Sequence, residues 1–331
     1  MAGLKRTKSS KHIPEKYRKY KGCFGKSPAE KDEQSNPPEV CLEGELTMVD
    51  ADFGNIKDSF EMVLTNPETI LNMREITGIN VSCALLLKAF FDEYNLKYGD
   101  KPKTRSPKNQ KVRAILNYLQ IAHYPDVKRI HYNDIDCWQI RSWDQRNEVE
   151  IPFAQILLEQ IIPKCWSGRH AMSQTSSNIA SFVSEALWNC MEHAYTGKKE
   201  KSEFKNLYLG VGEYPGTQRF SFCIYDKGIG IIQRLKDNPE GWLDQIKDLG
   251  IPDSKMIEKA TQGRSGAVKG KKGGRGNGLK TVVELLNSNH GQLDILSDHG
   301  YFSTYSENSG KDRETSLEGT MVAFSFPIKY I

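Results

Sequence analysis

Ser184-Glu185-Ala186-Leu187-Trp188-Asn189-Cys190-Met191-Glu192-His193-Ala194-Tyr195 is the stretch whose reading decides the fold. It closes a helix predicted from about Ser177 to His193. Ile179, Phe182, Val183, Ala186, Leu187 and Cys190 recur at intervals of three and four, which sets them on one buried stripe. Glu185, Asn189 and His193 follow one another at i, i+4 and i+8 and form a second stripe beside it. A carboxylate and a carboxamide one turn apart can serve a polar site, yet an ordinary solvent-facing helix also carries such pairs. What lies downstream decides between the two.

Beyond this helix, Leu207, Leu209 and Val211 alternate, as do Phe220, Phe222 and Ile224, with Pro215-Gly216 between them. The pattern predicts two antiparallel strands joined by a short turn. The second strand runs into Asp226-Lys227-Gly228-Ile229-Gly230. Next comes a glycine-rich stretch, Gly263 to Gly278, interleaved with Arg264, Lys269, Lys271, Lys272 and Arg275, and ending in Gly274-Arg275-Gly276-Asn277-Gly278-Leu279. A helix is predicted from Leu279, with Val282, Val283 and Leu286 inward and Gly291 as its stop. Gln292–Asp298 and Tyr301–Ser306 read as paired strands, and Thr320–Pro327, after Gly319, as the last one. Helices on one side of an antiparallel-rich sheet make a two-layer α/β sandwich.

Four boxes in this order resemble the ATP-binding domain shared by histidine kinases, gyrase-type topoisomerases, ATP-driven heat-shock chaperones and MutL (GHKL). The resemblance covers about residues 151–331. It implies ATP and Mg²⁺ as ligands. On the matching positions, Asn189 would hold the metal through its carbonyl oxygen, in keeping with the preference of Mg²⁺ for hard oxygen donors. Glu185 would act as general base or position the attacking group. Asp226 would accept the exocyclic amine of adenine, with Gly228 and Gly230 letting the backbone pass close to the base. Thr320 would support the same contact. Gly274, Gly276 and Gly278 would form a phosphate-covering lid that hands over to the helix opening at Leu279. Which lid cation reaches the phosphate stays open. His193 is left out of the site, because a helix-surface histidine explains it.

Upstream, Thr69–Met73 reads as a strand, Cys83–Tyr94 as a helix and Val112–Leu119 as the start of another, closed by His123-Tyr124-Pro125. This order is similar to the sulphate-transporter and anti-sigma-antagonist (STAS) fold. Its Asp-Ser-Ser-Gly loop would correspond to Asn80-Val81-Ser82-Cys83, of which only Ser82 matches. In that family the second serine is phosphorylated, whereas a helix N-cap explains Ser82 equally well and is the favoured reading. The expected architecture is therefore a basic mobile arm over 1–40, a smaller STAS-like α/β domain over 41–150 and the ATP-binding sandwich over 151–331. Pro152–Pro163 would be a short helix opening the last of these.

The chain has 331 residues, 38% hydrophobic, with a formal net charge of +4. No apolar run reaches the ~20 residues that a bilayer span needs, so no membrane role is expected. Seven cysteines without a CxxC pair suit reduced thiols in a cytoplasmic setting. Lys5, Arg6, Lys8, Lys11, Lys16, Arg18, Lys19 and Lys21 crowd the arm, which leaves a nucleic-acid partner open. None of the seven histidines is followed by Asp or Glu, unlike the phosphoacceptor of a transmitter histidine kinase. The Glu-Ala-x-x-Asn-x-x-Glu-His-Ala-Tyr wording resembles the anti-sigma-factor serine kinases. The expected function is that of a regulatory Mg-ATP-binding protein that phosphorylates a protein partner or itself. The alternative is an ATP-gated switch or ATPase that signals to a protein or nucleic-acid partner. A homodimer stays open.

Overall fold

The computed structural model describes residues 37–48, 50–121, 139–144, 183, 186, 194, 206–214, 219–237, 250–262, 278–288, 290–305 and 309–327. Residues 1–36 of the expected 1–40 arm and the predicted 152–163 helix lie outside the described residues, while Glu39 and Val40, expected in the arm, are already in a strand.

The chain is mixed α/β, and its described residues form one parallel and one antiparallel sheet. Strand β1 (Glu39–Leu46), helix α1 (Asp50–Thr65), β2 (Ile70–Ile79), α2 (Val81–Tyr98), the two-residue β3 (Thr104–Arg105) and α3 (Gln110–Tyr118) come first. They build a three-stranded parallel sheet in the order β1-β2-β3. Parallel neighbours need a crossover, which α1 and α2 supply. The larger sheet takes β4 (Gln139–Asp144), β5 (Asn206–Tyr214), β6 (Arg219–Asp226), β7 (Gln292–Ser303) and β8 (Lys311–Pro327). Its order is β4-β5-β6-β8-β7, with every pairing antiparallel. Thus β4, inside the 41–150 range, belongs to the sheet of the downstream half. Helices α4 (Gly230–Asp237), α5 (Asp253–Thr261) and α6 (Gly278–Ser288) complete the described elements.

Strand alternation divides the larger sheet's two faces. Leu207, Leu209, Phe222, Ile224, Leu293, Ile295, Val322 and Phe324 join Ile232, Ile257, Val282 and Leu286 of α4, α5 and α6 in one core. The opposite face presents Tyr208, Cys223, Tyr225, Leu296 and Met321, which share a core with α1, α2, β1 and β2. Helix α2 is apolar nearly all round, the signature of a helix buried between layers rather than lying on a surface. It approaches β5 so closely that a Cβ on Gly210 would lie 2.6 Å from Val81 Cγ1.

The strands predicted around Ile70–Met73, Leu207–Val211 and Phe220–Ile224 are present, and the 83–94 helix lies within α2. Four local expectations change. Asn80, not Ser82, caps α2: its side-chain oxygen accepts from Cys83 N at 2.8 Å, while Ser82 is buried at 9% exposure. Helix α3 ends earlier than His123, because Gln120 turns left-handed (φ 57°) behind the Leu119 cap. Behind α6 the left-handed residue is His290 (φ 53°), and Gly291 N donates to Leu286 O at 2.7 Å. The last strand begins at Lys311 rather than Thr320, passing through Gly319 at φ 86°.

Twelve extended residues would separate the ends of β7 by about 36 Å. Instead Thr304 N donates to Leu293 O at 2.9 Å, and the Tyr301 hydroxyl donates to Asp294 at 2.8 Å. The strand doubles back at Asp298 (φ 52°), which is the pairing that the two predicted segments called for.

Candidate nucleotide site

Asp226 is the last residue of β6, Thr320 sits in β8 and Ser297 in β7. The register sets Asp226 opposite Thr320 and Ser297 opposite Thr320. One row thus crosses three strands. By strand parity it lies on the face that bears α4, α5 and α6. All three side chains are buried: Asp226 at 2%, Thr320 at 7% and Ser297 at 0% exposure.

Hydrogen bonds tie the row to the backbone around it. The Asp226 carboxylate accepts from Gly228 N at 2.9 Å, a local turn that hands the strand over to α4. Ser297 Oγ donates to Gly319 O at 2.9 Å and accepts from Ile231 N at 2.9 Å. It also lies 3.3 Å from Thr320 Oγ1. The close packing explains two glycines. A Cβ on Gly319 would stand 1.9 Å from Asp226 O, and its φ of 86° is costly for any other residue. A Cβ on Gly228 would stand 2.2 Å from Ala194 O, and Ile229 N donates to that same carbonyl at 2.8 Å.

Ala194 belongs to the stretch with which the sequence reading began. Val183 and Ala186 are helical and fully buried in the core of this face, as the apolar stripe predicts. The Asp226 box and the helix stretch are therefore bonded to each other through Ala194. Glu185, Asn189, Gly274 and Gly276 lie outside the described residues. Gly278 and Leu279 open α6, and Leu279 packs against the core of the same face. Of the expected site residues, the structure brings Asp226, Gly228, Gly230 and Thr320 together.

Lys227 points the other way. It is 8% exposed, forms an ion pair with Glu93 of α2, and stands 3.1 Å from Glu318 of β8. Burial alone would lower its pKa, but the two carboxylates outweigh burial and raise it above 10.5. On the same face, the Tyr208 hydroxyl donates to Asp92 of α2 at 3.3 Å. Burial pushes the Cys223 thiol up to about 12, partly offset by a hydrogen bond with Ser82. Ser82 is thus inside the layer between α2 and the sheet. A cavity of about 160 Å³ opens near it, lined by Asn80, Ser82, Asp294, Tyr301 and Arg313 among others. It is smaller than the ~300 Å³ at which ligand pockets begin.

The sequence reading missed Ser297 and the Lys227 ion pairs. Ser297 does leave a signal: it is a polar residue at the inward position that follows Leu293 and Ile295 in an apolar alternation. Glu93 leaves none, because nothing local links a carboxylate on α2 to a lysine 134 positions away.

Among the described residues, no group of His, Cys, Asp and Glu is placed to hold a metal ion. No helix among them is long and apolar enough to cross a membrane. No protein-family model matches the chain, and no curated protein shows significant similarity to it.

Proposed function

We propose that this is a Mg-ATP-binding regulatory protein of the GHKL type, closest in kind to the anti-sigma-factor serine kinases. The observation that carries this reading is the buried row Asp226–Thr320–Ser297 on the helix-bearing face. A fixed carboxylate and hydroxyl beside an apolar core suit a flat base with an amino group. The Gly228–Ala194 contact supports the reading too, since it bonds this row to the helix stretch bearing Glu185 and Asn189. In this proposal Asn189 offers Mg²⁺ an oxygen ligand, and Glu185 positions or deprotonates the attacking hydroxyl. Gly274, Gly276 and Gly278 cover the phosphates ahead of α6. The bound magnesium would neutralise phosphate charge.

The acceptor in this reading is a separate protein. Ser82 is the one residue of Asn80-Val81-Ser82-Cys83 that suits a STAS-like phosphorylation loop, and the crossover order of β1 to α3 suits that fold. Ser82, however, is buried at 9% exposure under α2, on the sheet face opposite Asp226. The cysteine usage suits a cytoplasmic setting, and the basic arm keeps a nucleic-acid partner in view.

One observation favours the second reading, an ATP-gated switch. Asp226 and Lys227 are consecutive, and Lys227 is held by Glu93 of α2. A shift of the base-binding turn would therefore be felt in the upstream layer.

Incubation with γ-labelled ATP and Mg²⁺, comparing wild type with Glu185→Ala and Asn189→Ala, tests both. Label on an added protein partner, absent with both variants, supports the kinase. Free phosphate without protein label supports the switch. Neither product, with no ATP binding by calorimetry, would sink the proposal.

A further inference from the structure

We infer that Ser297 is a positioning residue that fixes the direction of the Thr320 hydroxyl, so that the site selects a 6-amino purine over a 6-oxo purine. The inference rests on the nucleotide-binding reading above.

The argument is proton bookkeeping at one buried oxygen. A serine hydroxyl has one proton to give and two lone pairs to receive. Ser297 Oγ lies 2.9 Å from Gly319 O, and a carbonyl can only accept, so the serine proton goes there. One lone pair accepts from Ile231 N at 2.9 Å, because a backbone amide can only donate. What remains toward Thr320, at 3.3 Å, is a lone pair. Thr320 must therefore donate its own proton to Ser297. Its oxygen then has only lone pairs left for a group that approaches the row beside Asp226.

Rotation cannot easily reverse this order. Ser297 is fully buried, and Gly230, at φ 78°, crowds its oxygen so closely that a Cβ there would stand 2.8 Å from Oγ. At 0% exposure the serine has no contact with bulk solvent through which either bond could be replaced. The row thus offers a carboxylate and an acceptor-only hydroxyl next to each other. A base presenting an amino group satisfies both, directly or through one water. A base presenting a keto oxygen at the same position meets two acceptors and leaves buried groups unmatched. In this scheme Ser297 touches no ligand and acts through Thr320.

The test is binding of ATP and of inosine triphosphate, which differ at position 6 of the base, to the full chain by calorimetry. Wild type is expected to prefer ATP by at least about tenfold. Ser297→Ala frees the Thr320 proton, and the ATP/ITP ratio is expected to fall by about tenfold, mostly through a gain for ITP. Thr320→Val should lower the ratio as well. Adding Ser297→Ala to it should change the ratio no further, since the serine acts only through that hydroxyl. A merely structural serine would weaken both nucleotides equally and leave the ratio unchanged, and that result overturns the inference. If Ser297→Ala does not fold, Thr320→Ser and Thr320→Val decide: the ratio should survive in the first and fall in the second. A ratio that survives in both also overturns it. Wild type that binds both nucleotides equally overturns this inference alone. Wild type that binds neither overturns the nucleotide reading on which it rests.

Discussion

Asp226 and Lys227, neighbours in the chain, face opposite layers of the molecule: the carboxylate turns to the helix-bearing face and the ammonium to Glu93 of α2. Strand alternation forces this division at the end of β6. The turn that follows β6 is thus anchored from both sides of the sheet. A substitution at either residue should separate binding from stability.

Asp226→Asn keeps an oxygen that can accept from Gly228 N and presents an amide where the ligand amine would sit. ATP affinity is expected to fall about 10- to 100-fold, the worth of a hydrogen bond to a charged group. The melting temperature should move by only a few degrees. Calorimetric titration and a thermal melt on the same sample check both halves. A folded variant that binds ATP as wild type does would remove Asp226 from the site.

Lys227→Met keeps the buried stem and deletes the charge. Glu93 and Glu318 remain in contact with water, at 34% and 58% side-chain exposure, so they can be hydrated once unpaired. The cost should be modest, about 1–2 kcal/mol. The pH dependence is the sharper readout. The lysine pKa is raised in the folded state, so its contribution is complete below the unfolded value of 10.5 and is lost as pH rises through the folded value. The melting-temperature gap between wild type and Lys227→Met should hold steady at neutral pH and close above about pH 10.5. A gap that stays constant through that range would rule out the ion pairs as its source.

Asp312 caps a helix from a distant strand. Helix α5 has no side-chain cap of its own at Pro252, and the Asp312 carboxylate accepts from Ser254 N at 2.8 Å and Asp253 N at 3.0 Å. Partial burial would raise its pKa, but the bonds from Ser254 and Asp253 and the nearby His299 outweigh it and hold it below 3.8. The stabilisation is therefore present above the unfolded value and lost as pH falls through the folded one. Asp312→Ala should cost about 1 kcal/mol in urea unfolding at neutral pH. The difference should shrink at acidic pH, toward and below 3.8.

Gly319→Ala is expected to be the most disruptive single methyl in the site. The added Cβ would collide with Asp226 O at 1.9 Å and sit on a left-handed backbone. A loss of at least about 2 kcal/mol follows from strain and overlap together. ATP binding should vanish even where the variant still folds, because β6 and β8 must part at the row. Circular dichroism paired with calorimetry separates the two effects.

Much of this arrangement is readable from the sequence wherever one element explains itself. The alternations Leu207-Leu209-Val211 and Phe220-Phe222-Ile224 locate β5 and β6, and Asp226 follows at the strand end. The helix stop and caps were harder, since Asn80, Gln120 and His290 take roles that neighbouring Ser82, Pro125 and Gly291 could fill equally well on propensity. Any side-chain oxygen can serve an N-cap, and histidine tolerates the left-handed region, so composition alone does not rank them. Strand partners are the least legible. Nothing in Gln139–Asp144 announces that it will pair with Asn206–Tyr214 across more than sixty residues. The Ser297 bonds likewise exist only once β7 lies beside β8.

Helix α2 contributes Cys83, Leu87 and Phe91 to a core that also holds Val40 and Leu71 from the small sheet and Tyr208 and Tyr225 from the large one. The same side chains therefore finish two interiors. A protein cut between α3 and β4 would yield two pieces, each with one apolar wall and nothing to cover it. Made separately, they are expected to clump. Made together, they should reassemble without a covalent bond, since each carries the missing surface of the other.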